Sequence, residues 1–229
     1  MSVLKRVAIG AAATALVTAT IAAGGPASAS EIKIKGKVAG SSTVAKSGDT
    51  LTLPRGASLK ASLFLPSGKI RKGVMDVPTI TAHMDAKIPG LDFLPGVPMK
   101  AKVNMVQVAP ITGKVPSKGK NKGHMVSAAT VRFAIPKATL DVPIPVLDGI
   151  NIVQDTCTTE PFKIKMISNK KLNLDKKIII DTKFTIPKFD GCSIVNVPPF
   201  GLRNTLLTQL LSGPGNTLHL EVGPLKSDL

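Results

Sequence analysis

The sequence predicts an all-β fold: an antiparallel β-sandwich, immunoglobulin-like or two-lobed, with one short C-terminal helix near residues 201–211. Three observations predict it. Apolar residues alternate with lysines at period two in run after run. Prolines and glycines cut the runs at short intervals. One segment alone carries helical spacing. Alternation with one wet face marks half-buried antiparallel strands.

The elements follow in chain order. "EIKIKGKV" sets Ile32 and Ile34 against Lys33 and Lys35. "SLKASLFL" places Leu59, Ala61, Leu63 and Leu65 on one side. "VPMKAKVNMVQV" opposes Met99, Ala101, Val103 and Met105 to Lys100, Lys102 and Asn104. "FKIKMI" opposes Phe162, Ile164 and Met166 to Lys163 and Lys165. "KIIIDTKFTI" aligns Ile178, Ile180, Phe184 and Ile186, and "NTLHLEV" aligns Leu218, Leu220 and Val222. Many short strands with this punctuation imply a sandwich or a barrel. Proline within a run points to an edge or a bulge. "GLRNTLLTQLLSGPG" puts Leu202, Leu206, Leu207, Leu210 and Leu211 on one face of a short helix, which Gly213 and Pro214 end.

The first residues read as an export signal. Lys5 and Arg6 precede an uncharged apolar stretch from Val7 to Ala23, and Ala27-Ser28-Ala29 offers an A-x-A cleavage site. The expected division is residues 1–29 as signal peptide and 30–229 as one secreted β domain. That domain has an alternative form of two lobes, 30–113 and 124–229, joined by a basic loop at 114–123. After cleavage no later run is long and apolar enough to span a bilayer. The expected location is extracellular, with association to the cell envelope.

Export gives the two cysteines their meaning. Cys157 and Cys192 are the chain's two cysteines, and disulfides persist outside the cytoplasm. No C-x-x-C occurs, which argues against thioredoxin-like chemistry and thiolate zinc sites. A structural disulfide is expected, with two buried free thiols as the alternative.

Charge and missing aromatics narrow the function. The chain carries 30 Lys and Arg against 14 Asp and Glu. Loss of Lys5 and Arg6 with the signal leaves 28 against 14, a net charge of +14. Such a charge favours anionic partners. There is no Trp and no Tyr, and seven Phe supply the aromatics. Stacking platforms for sugars and single-stranded nucleic acids lose support, as do the aromatic girdles of outer-membrane barrels. No specific nucleic-acid partner is expected.

Two stretches are candidates for binding. "KVPSKGKNKGH" carries Lys114, Lys118, Lys120 and Lys122 among turn formers, an exposed and mobile loop suited to contacting anions. "VMDVPTITAHMDAKIPGLDFLPGVPM" combines Met75, Met84, Phe93 and Met99, an adaptable apolar set that would line a ligand pocket. Catalytic chemistry has no comparable signal. No G-x-S-x-G turn occurs; His83, His124 and His219 show no metal-ligand spacing, and no phosphate-cradling glycine loop precedes a helix.

"DTCTTEPFKIKM", "FTIPKFDGCSIVNVPPF" and "LLTQLLSGPGNTLHLEVGPL" resemble a family of secreted, β-rich actinobacterial proteins. The resemblance covers roughly residues 95–223. It rests on Cys157-Thr158-Thr159-Glu160-Pro161, on Phe184 to Cys192, and on Ser212 to Leu218. It implies a β-rich domain, a two-cysteine core and secretion, and it brings no activity. The lysine content departs from the Thr-, Ser- and Gly-rich pattern of that family.

The expected function is therefore non-catalytic. Lysine-rich faces would hold a secreted protein to anionic envelope polymer or lipid head groups, with no cofactor and no metal. The alternative is a carrier for an apolar, lipid-like ligand in a β-sandwich cavity.

Overall fold

The computed structural model describes residues 30–86, 96–141, 149, 151–153, 156–192 and 205–228. The expected signal peptide and Phe93 lie outside the described residues.

Among the described residues thirteen strands and one helix follow in order: β1 (Ser30–Thr43), β2 (Thr50–Thr52), β3 (Ser58–Leu65), β4 (Lys69–Asp76), β5 (Ile80–Ala86), β6 (Val97–Lys114), β7 (His124–Leu140), β8 (Thr158–Thr159), β9 (Phe162–Lys171), β10 (Ile178–Ile186), β11 (Phe189–Asp190), α1 (Thr205–Leu211), β12 (Gly213–Val222) and β13 (Lys226–Asp228). Eight of them form an up-and-down barrel. Its strands β1, β3, β4, β6, β7, β9, β10 and β12 each pair antiparallel with the next, and β12 returns to pair with β1.

The all-β expectation stands, but the sandwich is corrected to a closed barrel. The closing ladder runs from Val38↔Val222 to Thr43↔Thr217. Period-two alternation specifies one buried face, and a barrel and a sandwich both satisfy it. Pairing of the first strand with the last decides between them, and alternation does not encode that pairing. Gly40 lies in this ladder at φ +155°, where a Cβ would stand 2.1 Å from the His219 carbonyl oxygen. Only a residue without a side chain lets the two strands approach there.

The remaining strands extend the barrel. β2 and β13 pair with β1, while β5 continues along the first half of β6. β8 pairs with β7 and β11 with β8. β6 and β7 are therefore longer than the barrel needs, and their outer halves carry a flap. Register shifts allow the bend. Pro110 falls in the shift between Ala109 and Thr112, and Pro136 between the pairs Asn104↔Ala134 and Lys102↔Lys137. A proline cannot donate to the ladder, so bulges are where a strand tolerates one. Both prolines thus lie inside strands. The segments 30–113 and 124–229 contribute to the same sheet, with 115–123 as the turn between β6 and β7.

The alternating side chains fill the lumen. Ile34, Val38, Ala61, Leu63, Ile164, Met166, Ile178, Ile180, Leu220 and Val222 are all buried, and the lysines between them are exposed. Helix α1 occupies the end of the predicted helical segment and buries Leu207, Leu210 and Leu211. Cys157 and Cys192 form a disulfide, with Cα atoms 4.2 Å apart. Cys157 precedes β8 and Cys192 follows β11, so the bridge joins the two flanks of the β9–β10 hairpin. The Ile135 N–H also donates to the Cys157 carbonyl, 2.9 Å, which fastens this unit to β7.

Candidate functional site

The two ends of the barrel differ in chemistry. One end is formed by the β3–β4, β6–β7 and β9–β10 turns. These turns hold one another through the main chain. The Val115 N–H donates to the Gly68 carbonyl at 2.8 Å, and the Leu172 N–H donates to the Gly123 carbonyl at 2.7 Å. Within the β6–β7 turn, Gly123 N–H bonds Pro116 O at 2.8 Å and His124 N–H bonds Asn121 O at 3.0 Å. The loop expected to be mobile is therefore internally hydrogen-bonded. The His124 ring lies 2.8 Å from the Ser168 carbonyl, and the Ser168 hydroxyl accepts from Met125 N–H at 2.9 Å.

This packing gathers cations. Lys114, Lys118, Lys120 and Lys122, all anticipated from the sequence, are exposed on the β6–β7 side. Lys69 stands directly opposite Lys114 in the β4–β6 ladder. Lys170, Lys171, Lys176 and Lys177 are exposed around the adjacent β9–β10 turn. Gly123 touches the Lys171 side chain, with its Cβ position 3.2 Å from Lys171 Cγ. Among the described residues the ion pairs of these lysines are confined to Lys177–Glu221 at 2.9 Å, and Asp175 is the acid within the turn. Lys69, Lys170, Lys171, Lys176 and Lys177 were missed by sequence reasoning. The signal "NKKLNLDKK" was visible, but its neighbour in space lies some fifty residues earlier in the chain.

A further pair of lysines faces across the ladder on the flap. Lys102 of β6 is directly opposite Lys137 of β7. Cross-strand like charges oppose folding, by less than about 1 kcal/mol for a pair in water.

Toward the other end the interior is apolar. A cavity of about 60 Å³ lies within the barrel, walled by residues of β1, β2, β4 to β7, β9, β10, β11, α1 and β12. Met75, a candidate from the sequence, lines it beside Met105, Phe133 and Met166. Met84 and Met99 do not. They are buried at the edge of a separate polar hollow of about 250 Å³, with His83, Asp49, Asp85, Lys100 and Asp141. The sequence set Met75, Met84, Met99 is therefore split between two places, because β5 departs from the barrel to pair with the outer half of β6. No group of three or more His, Cys, Asp or Glu side chains converges for a metal among the described residues.

His219 sits outside the barrel on β12, and its Nδ1 is 2.6 Å from Asp181 Oδ1 of β10. The hydrogen bond to Asp181 raises the His219 pKa above its ordinary value. The same bond, helped by Asn169, lowers that of Asp181. Glu221 is lowered mainly by Lys177. No helix among the described residues is long and apolar enough to cross a membrane. Compared with protein-family models, curated proteins and solved structures, the chain matches none.

Proposed function

We propose that this is an exported, non-catalytic barrel protein that docks on anionic envelope polymer or lipid head groups through its lysine-bearing turns. One observation carries the reading. The β6–β7 and β9–β10 turns are bonded side by side, Leu172 to Gly123, and place eight lysines with Asp175 at one barrel end. A polyanion relieves the mutual repulsion of such a cluster and is bound through charge that salt screens. The absence of Trp and Tyr from the chain argues for recognition of charge over ring stacking. The likeness to secreted actinobacterial proteins fits an envelope location.

Fractionation of the producing cell through a salt series tests the reading. The protein should sediment with the envelope at low salt and be released as salt rises. Recovery in the culture medium at low salt, or retention that salt does not alter, overturns it.

A further inference from the structure

The barrel end opposite the lysines carries a second feature. β6 pairs with β4 only through Ile111 to Lys114, and with β5 only through Val97 to Val103. Between these stretches the wall is closed by a side chain. Gln107 Oε1 accepts from Met75 N–H at 2.7 Å, and its Nε2 donates to the carbonyls of Gly73 at 2.8 Å and Ala109 at 2.9 Å. The cavity lies behind this gap. Its half-buried lining residues come from around the rim: Leu51, Leu53, Met75, Val77, Met105 and Phe133 from β2, β4–β5, β6 and β7, and Ser42 and Leu218 from β1 and β12. These half-buried residues mark the end of the barrel where the cavity meets the surface.

We infer that this cavity takes the end of one unbranched acyl chain, entering from the barrel end opposite the lysines, since Gln107 closes the wall between β4 and β6. The chemistry of the wall selects hydrocarbon. Ser42 is the polar lining residue, and its hydroxyl is committed to the Thr217 carbonyl at 2.9 Å. Nothing on the wall offers a hydrogen bond to a buried head group, which would carry the cost of desolvation unpaired. Size selects an unbranched chain. At roughly 10–15 Å³ per water-sized position, the cavity holds about four to six such groups. The tail end enters and the head stays outside. Flexible Met75 and Met105 at the opening adapt to the chain's passage. A free long-chain carboxylate and a phospholipid tail share this chemistry.

The chain's lack of tryptophan gives a direct test. Phe133→Trp places a reporter on the cavity wall, and Ile167→Trp places one on the outer face of β9, where Ile167 is 42% exposed. Delipidated full-length variants are titrated with dibrominated stearate, and separately with phosphatidylglycerol vesicles bearing the same brominated chain. Emission of Phe133→Trp should fall by more than half, saturably, while Ile167→Trp loses little. The arm that quenches identifies the source of the chain. Equal quenching of both variants, or none of Phe133→Trp in either arm, overturns the inference. Met105→Trp, whose site pairs with Phe133 across the ladder, replaces Phe133→Trp if that variant melts without cooperativity.

Discussion

Leu172 donates its backbone N–H to the carbonyl of Gly123 at 2.7 Å, and this bond sets two lysine-rich turns against each other. The arrangement holds like charges close in the folded state alone. Lys171→Gln should therefore raise the melting temperature slightly at low ionic strength, by the few tenths of a kcal/mol typical of exposed like-charge contacts. The gain should vanish at high salt. Thermal melts at two salt concentrations check this. A variant that melts lower than the parent at low salt contradicts the repulsion.

The Cys157–Cys192 bridge closes a 35-residue interval. Loop entropy assigns such a cross-link about 4 kcal/mol. Reduction, or Cys157→Ser with Cys192→Ser, should lower the melting temperature by roughly 10 °C for a chain of this size. The lysine-bearing turns lie at the other end of the β9–β10 hairpin, so retention on an anionic resin should persist. An unchanged melting temperature in reductant would show that the bridge does not constrain the unfolded chain.

Asn216 is 1% exposed and joins three segments. Its Oδ1 accepts from Ala45 N–H at 3.0 Å, and its Nδ2 donates to Gly213 O at 2.7 Å and Phe184 O at 3.5 Å. Asn216→Ala strands buried main-chain groups and should cost about 2–3 kcal/mol. Denaturant unfolding measures it. A loss below roughly 0.5 kcal/mol, the range of ordinary surface changes, would mean that water replaces the amide.

The Asp181–His219 pair gives a pH signature with a fixed sign. His219 is raised by Asp181, so its share of stability is present below its unfolded pKa and is lost as pH rises through the folded one. Asp181 is lowered, so its share is present above its unfolded pKa and is lost as pH falls through the folded one. The pair is strongest between these limits. NMR titration should place His219 above the ordinary histidine value and return it toward that value in Asp181→Asn. An ordinary value in the parent chain rules the ion pair out. Both side chains are exposed, so the effect on global stability is small.

Much of the barrel was legible because alternation is a local property. The exposed lysines and buried isoleucines of β1, β9 and β10 read directly from the sequence. β7 did not, since Pro136 and a run of alanines mask its period; the proline is tolerated only because a register shift receives it. Closure escaped because the β1–β12 ladder joins the two extremes of the domain. The lysines of 114–122 were visible as a run, whereas their union with Lys170 to Lys177 depends on which turns share a barrel end. The cavity escaped for the same reason. Met75 and Met84 are close in the chain but separate where β5 leaves the barrel wall.

Binding to anionic vesicles over a salt series, with lysines neutralised in two alternative sets, tests the docking claim most directly. One set is Lys118, Lys120, Lys122 and Lys171→Gln at the barrel end. The other is Lys33, Lys37, Lys163 and Lys165→Gln on the barrel sides, with the same change in net charge. The end set should abolish most of the binding and flatten its salt dependence, while the side set retains most of both. Equal losses from the two sets would show that total charge governs binding and that the paired turns form no docking face.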